Sequence, residues 1–253
     1  MARGADSTND LDGLGRASLL LTPIPGGNTY EQTVERLLQT VRMGLVKPGE
    51  RLPSERELAV MLDVSRDTIR DATASLADAG FLDIRRGRYG GTFVSETLTD
   101  LSGQGSAWRG QPSAMGPEDI KDLLVFREVL EVGAARTAAT LELTSDIRDA
   151  LWRAHVDSST ASPENFRRLD SRFHLLIAQI TGSRRLIGEV ASTRMRVNEL
   201  LDAIPLLSPN IEHSTAQHEE IVSAILRGQP ELAEMAMRDH LEGTAALLRG
   251  FLG

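Results

Sequence analysis

Between residues 28 and 97, three short amphipathic segments with their own start and stop signals run directly into a glycine-tipped, β-rich stretch. No other feature of the chain restricts its fold as tightly. Tyr30, Val34, Leu37, Leu38 and Val41 recur at helical spacing until Gly44 and Pro48 end the run. A second helix opens at Ser54, and Glu57 at its third position completes a capping box in which each residue's side chain satisfies the other's backbone N–H. It carries Leu58, Met61 and Leu62 to a turn at Asp63. Ser65 caps a third helix with Ile69, Ala72, Leu76 and Ala79 on one face, and Gly80 ends it where a positive φ favours glycine. The run FLDIRRGRYGGTFVS then reads as two strands around a glycine-rich tip, a hairpin.

Three helices and a hairpin in this order make a winged helix-turn-helix. In that arrangement Val64 and Ile69 anchor the third helix, while Ser65, Arg66, Thr68 and Arg70 at its start face outward. An arginine fork there matches the O6 and N7 acceptors of guanine in the major groove. An ordinary solvated helix, its arginines paired with Asp67 and Asp71, fits the same pattern. Charge does not decide between them, because 28 basic against 36 acidic residues leave the chain at −8, which argues only against coating nucleic acid by charge alone.

The flanks set the domain plan. Residues 1–27, rich in Gly, Ser, Asp and Pro, read as a disordered tail. A second polar, Gly-rich stretch from about Ser95 to Gly116 supplies a linker over 98–116, so that residues 28–97 form one domain and 117–253 another. The second is helical throughout, with Pro117, Pro163, Pro209 and Pro230 each at a helix start, two of them behind a serine cap at Ser162 and Ser208. Helices are expected at 117–141, 144–158, 162–181, 183–203, 209–227 and 230–249, packed as an all-α antiparallel bundle. The chain contains no cysteine, which removes disulfides, thiolate zinc sites and cysteine nucleophiles. It also has neither a run apolar enough for a membrane span nor the pattern of a signal peptide, and a cytoplasmic protein is expected.

Four residues of the bundle stand out by spacing. Asp170 and His174 lie one helical turn apart and project from the same face. His218 and His240 are each 11 residues from Gln229, at the turn of a helical hairpin, so they stand at matched height, about 16 Å from the turn. Asp170 and His174 precede Gly182 by 12 and 8 residues, a comparable height on their own hairpin. Three imidazoles and a carboxylate suit a divalent ion such as zinc, nickel, iron or manganese. The bland alternative, in which each histidine is a half-buried side chain satisfied by a neighbour, stays open at this point and is preferred outright for His155 and His213.

The wording of the chain adds to both readings. Pro48–Ala59 (PGERLPSERELA), Val64–Arg70 (VSRDTIR) and Gly87–Val94 (GRYGGTFV) resemble, in order, the GntR family of bacterial transcription regulators. That resemblance implies DNA contacts from Arg56, Arg66 and Arg70, support from Ser65 and Thr68, and wing-tip contacts from Arg86 and Gly87. Departures are Asp67, where a small neutral residue is usual, and Asp71-Ala72-Thr73 in place of Glu-Ala-Leu. Arg127–Glu131 (REVLE) with Ala134, Ala135, Ala138 and Ala139, Asp170–His174 (DSRFH), His218–Ile221 (HEEI) and Met237–Leu241 (MRDHL) look like the helical FCD effector domain of the FadR-type branch. Asp170, His174, His218 and His240 are then implied to hold the ion. Ser183 replaces the usual asparagine, a change of helix cap.

Arg194 falls within the apolar stripe Ile187, Val190, Val197 and Leu201, with Asn198 one turn on, and Arg127 falls within Ile120, Leu123, Leu124, Leu130 and Ala134. A buried arginine must be paired, by a protein acid or by a ligand's carboxylate. Glu131 at i+4 is the local candidate for Arg127, whereas Arg194 has no acid at i±4 and is the better pocket residue. The expectation is a ligand-responsive transcription regulator and not an enzyme. It is expected to act as a repressor, a homodimer on an inverted-repeat double-stranded operator, with a divalent metal and a small carboxylate effector at Arg127, Arg194 and Asn198. A metal sensor in which the ion is the signal, a purely structural metal and, further off, a metal-dependent hydrolase fused to a DNA-binding domain are the competing readings.

Overall fold

The computed structural model describes residues 20–87, 90–98 and 115–253. Most of the expected tail, most of the expected linker, and Arg88 and Tyr89 of the wing lie outside them. The chain divides into two compact units, Met1–Gln111 with Arg249–Phe251, and Pro112–Leu248 with Leu252–Gly253.

The first unit holds α1 (Thr29–Arg42), α2 (Glu55–Leu62), α3 (Arg66–Asp78), β1 (Leu82–Arg85), β2 (Gly91–Val94) and a short 3₁₀ turn at Glu96–Leu98. The capping box at Ser54 is complete: the Glu57 N–H donates to Ser54 Oγ at 3.3 Å, and the Ser54 N–H to Glu57 Oε2 at 2.8 Å. Asp63 then takes a left-handed conformation, φ 54°, which turns the chain between the two motif helices. Val34, Leu37, Leu38, Leu58, Leu62, Ile69, Ala72 and Leu76 are buried together as the core of the three helices. Tyr30 adds a hydroxyl bond to Ser75 Oγ at 2.8 Å. The strands pair antiparallel, with Leu82 opposite Val94 and Arg85 opposite Gly91.

Two features of this unit differ from the sequence expectation. Leu21 and Ile24, placed by composition in a tail of residues 1–27, are buried, and the Ile24 N–H donates to Leu62 O at 2.8 Å. Leu21 ends the short run Leu19-Leu20-Leu21 and Ile24 stands between Pro23 and Pro25, so neither belongs to a periodic apolar pattern. The segment before α2 also joins the hairpin: Arg51 bridges Phe93, and the Leu52 N–H donates to Thr92 O at 2.9 Å.

The second unit consists of α4 (Pro117–Ala138), α5 (Ser145–Ser159), α6 (Pro163–Ile180), α7 (Arg184–Asp202), α8 (Ser208–Leu226) and α9 (Pro230–Leu252). Each falls where an expected helix stands. Pro163 follows its serine cap, and Ser183 caps α7 by accepting the Leu186 N–H at 3.3 Å. Ser208 is a correction: Leu207 is the N-cap and Ser208 already lies in the helix, because proline is tolerated anywhere in the first turn and does not by itself mark the cap. The core joins the alanines of α4 (Ala134, Ala135, Ala138) to Leu151, Phe173, Ile177, Val190, Ile221, Val222 and Ile225. Small residues on α4 permit close helix approach, and α6 packs on α4, α5 and α7. Among the described residues no helix is long and apolar enough to cross a membrane.

Candidate metal centre and nucleic-acid interface

The side chains assigned to DNA by resemblance sit on an exposed surface. Arg56, Ser65, Arg66 and Arg70 are exposed along α2 and the start of α3, and Thr68 is partly so. Ser65 is the N-cap of α3, accepting the Thr68 N–H at 3.0 Å, and its hydroxyl lies 2.8 Å from that of Thr68. Both hydroxyls therefore set the start of the helix. Arg70 pairs with Asp67 at 2.8 Å, and Glu55 lies 3.9 Å from both Arg66 and Arg70. With the Arg66 and Arg70 side chains 62% and 56% exposed, these ion pairs are weak and readily exchanged for phosphate or base acceptors. Arg86 and Gly87 are exposed at the start of the wing, where Gly87 has φ 105°. Neighbouring Arg85, which the sequence did not single out, stacks 4.3 Å from the centre of the Phe93 ring.

In the bundle the four residues chosen by spacing meet. Asp170 and His174 come from α6, His218 from α8 and His240 from α9, all buried, with one ligand atom of each lying within 4.8 Å of the others. His174 Nε2 and His218 Nε2 lie 3.1 and 3.3 Å from His240 Nε2, and Asp170 Oδ1 lies 3.2 Å from His218 Nε2 and 3.7 Å from His174 Nε2. Donor atoms about 2.0–2.2 Å from a shared ion stand roughly 3 to 3.5 Å apart, so the spacing fits one divalent metal.

The surrounding shell supports the same conclusion. Glu131 Oε2 sits against His174 Nδ1, Ser158 Oγ lies 3.4 Å from His218 Nδ1, and Gln217 Oε1 lies 3.4 Å from His240 Nδ1. An acceptor behind Nδ1 favours the tautomer that carries its proton there and frees the Nε2 lone pair for the centre. Three such lone pairs converging on one carboxylate call for a cation. Burial lowers the His218 pKa to about 4 and holds His240 well below the usual histidine range, so both imidazoles are neutral at pH 7. Burial pushes the Asp170 carboxyl up, but the adjacent Arg194 guanidinium, with the polar surroundings at His174 and His218, outweighs it and holds the group well below the usual carboxylate range.

Both buried arginines have protein acids. Arg127 Nε donates to Glu131 Oε1 at 3.0 Å, as the i+4 spacing allows, and Arg194 Nη2 donates to Asp170 Oδ2 across to α6. Ser171 Oγ accepts from Arg194 at 3.3 Å and from Asn198 Nδ2 at 2.9 Å. Arg127 Nη1, Arg194 Nε and Nη1, and Asn198 Oδ1 are buried with no hydrogen-bond partner among the described residues. Sequence reasoning had weighed Glu131 only as a partner for Arg127, and had not picked out Ser158, Gln217 or Ser171. His155 is buried beside Trp152, with ring centres 5.4 Å apart, His213 is exposed, and neither joins the cluster.

Comparison with known proteins places both halves. Residues 29–94 match the model of the bacterial regulatory proteins of the gntR family, and residues 122–243 match the FCD domain. The HTH-type transcriptional regulator LutR of Bacillus subtilis is 31% identical over 83% of this chain and 97% of its own length. The HTH-type transcriptional repressor NanR of an Enterobacter species is 29% identical over 96% and 94%. Among solved structures, Streptococcus agalactiae GntR covers 85% of this chain and 98% of its own, at 29% identity and a TM-score of 0.44. These relatives are named as regulators, in agreement with the expectation of a regulator and not an enzyme. The chain belongs to the GntR family of bacterial regulatory proteins, a DNA-binding transcription regulator whose winged helix-turn-helix is followed by an FCD domain.

Proposed function

We propose that this regulator is a homodimeric repressor whose bundle, residues 117–253, holds a divalent ion at Asp170, His174, His218 and His240 and senses a small carboxylate there. The observation that carries the reading is the convergence of three imidazole nitrogens and one carboxylate oxygen in a buried cluster. One carboxylate against a dication leaves a net positive centre, and four protein donors leave coordination positions for an acid's oxygens. Arg127, Arg194 and Asn198 are the polar groups placed to orient that acid, since each retains a buried atom without a hydrogen-bond partner among the described residues. Residues 28–97 read an inverted-repeat operator through Arg56, Arg66 and Arg70, with Ser65 and Thr68 shaping the helix start and Arg86 and Gly87 at the wing. A twofold dimer meets two half-sites at fixed spacing, so an acid that binds two dimer arrangements unequally shifts operator affinity by that difference.

The deciding experiment measures metal per chain and operator affinity together, with and without small carboxylates. About one ion per chain and an operator affinity that moves with an acid at constant metal is the expected result. Operator affinity that follows metal concentration and ignores every acid would make the ion itself the signal. A protein that takes up no zinc, nickel, iron or manganese would remove the metal centre from the reading.

A further inference from the structure

We infer that Asp67, in the first turn of α3, is a base-reading residue whose carboxylate accepts from the N4 amino group of an operator cytosine, within one base step of the guanine that Arg70 reads. The inference rests on the operator contacts proposed for Arg66 and Arg70, and it adds a specificity-determining residue to them.

Asp67 directly follows Arg66 at the start of α3, on the stretch that carries Ser65, Thr68 and Arg70. Its side chain is 81% exposed, against 62% for Arg66 and 56% for Arg70. Oδ1 accepts from Arg70 Nη1 at 2.8 Å, and a pair this exposed contributes little to folding. Nor is the carboxylate needed as a helix cap, because Ser65 Oγ already accepts the Thr68 N–H at 3.0 Å. An acid on a surface that must approach phosphates is a cost in binding unless it meets a donor there.

The donor follows from the partner it already has. Asp67 and Arg70 satisfy each other while the surface is free, but once the Arg70 fork turns to guanine O6 and N7 the carboxylate loses its donor. Of the four bases, cytosine alone shows the major groove an amino group with no acceptor beside it. Adenine sets N7 next to its amino group, and guanine and thymine present oxygen acceptors. The two side chains stand 2.8 Å apart, less than the rise of about 3.4 Å per base, so the cytosine lies on the guanine's own pair or the next one. Any other base there leaves the carboxylate facing acceptors, and the acid therefore selects by repulsion as well as by contact. Glu55, 3.9 Å from both Arg66 and Arg70, lies beside the same arginines but on α2, and it separates a base contact from a general effect of charge.

Selection of bound duplexes from a random library by the full-length protein tests this, with Asp67→Ala, Arg70→Ala and Glu55→Gln beside the wild type. The wild-type site should contain a cytosine preferred by about 5- to 150-fold, within one step of a preferred guanine. Arg70→Ala should relax the guanine position. Asp67→Ala should flatten the cytosine position, while affinity for scrambled duplex rises because an acid has been removed. Glu55→Gln should strengthen binding to all duplexes and leave both positions as selective as before. A cytosine position unchanged in Asp67→Ala overturns the inference and leaves Arg70 a base contact. So does one that Glu55→Gln flattens equally, since both acids would then act through the arginines alone. A guanine position untouched by Arg70→Ala, or a wild type that selects no sequence, overturns the operator reading beneath it as well.

Discussion

Glu131 on α4 and His174 on α6 face each other in the bundle interior, the carboxylate oxygen Oε2 against Nδ1, while Oε1 of the same carboxylate accepts from Arg127 at 3.0 Å. Each is 2% exposed. One acid thus orients an imidazole of the candidate metal cluster and neutralises a buried guanidinium. Burial pushes the Glu131 carboxyl up, but the charges of His174, Arg127 and Arg194 outweigh that and hold it below the usual carboxylate range.

Glu131→Gln is expected to weaken metal binding about 10- to 100-fold, as loss of an orienting carboxylate does at other imidazole sites. Competition with a chromophoric chelator reads this directly. Unchanged affinity would reduce Glu131 to a partner for Arg127 alone.

Asp170→Ala removes a ligand and also strands Arg194 as an unpaired buried charge. The metal-free variant should be destabilised by about 3–5 kcal/mol in urea unfolding. Adding Arg194→Leu should recover part of that loss, because it removes the stranded charge, and the double-mutant cycle isolates the coupling. Strictly additive losses would show that the two side chains do not act as a pair.

Stability of the metal-free protein should fall as pH drops from about 6.5 towards 4. His218 titrates at about 4 in the folded chain, lowered chiefly by burial, and near 6.5 once unfolded. Between those values the unfolded state binds the extra proton, so the free energy of unfolding rises with pH, by about 1.4 kcal/mol per unit for this histidine. His240, also depressed by burial, adds to the slope in the same direction. Replacing His218 by Asn should flatten the curve in that window, and a curve that kept its slope would assign the titration elsewhere.

Arg66→Ala should weaken specific operator binding by about 1–3 kcal/mol while metal content stays unchanged. Its nearest acid, Glu55, is 3.9 Å away and exposed, so little folding stability goes with the side chain. Fluorescence anisotropy with operator and scrambled duplexes checks this. An equal loss on both would make Arg66 a phosphate contact.

What the chain discloses in one dimension depends on where each partner lies. His218 and His240 were paired by counting outward from a helical turn, and their Nε2 atoms stand 3.3 Å apart, because rise per residue is uniform in both arms. The Ser54–Glu57 capping box is equally local, and it formed as read. Arg194 shows the limit. Its acid lies 24 residues away on another helix, so a search at i±4 finds nothing. Glu131 was hidden for the opposite reason: a sufficient neighbour at i−4 left no motive to look for His174. Leu21 and Ile24 were averaged into the polar composition around them, and the bond from the Ile24 N–H to Leu62 O joins residues too far apart in sequence to leave a local signal.

Every helix of the bundle sends a polar side chain to one connected cluster: Glu131 from α4, Ser158 from α5, Asp170 and His174 from α6, Arg194 from α7, Gln217 and His218 from α8 and His240 from α9. The cluster is the hub at which six spokes meet. No spoke can slide along its axis without pulling on the hub, and a change of a few tenths of an ångström at the hub has no single spoke in which to be absorbed. An ion or a small acid bound at this hub would therefore touch all six helices through one connected set of side-chain contacts.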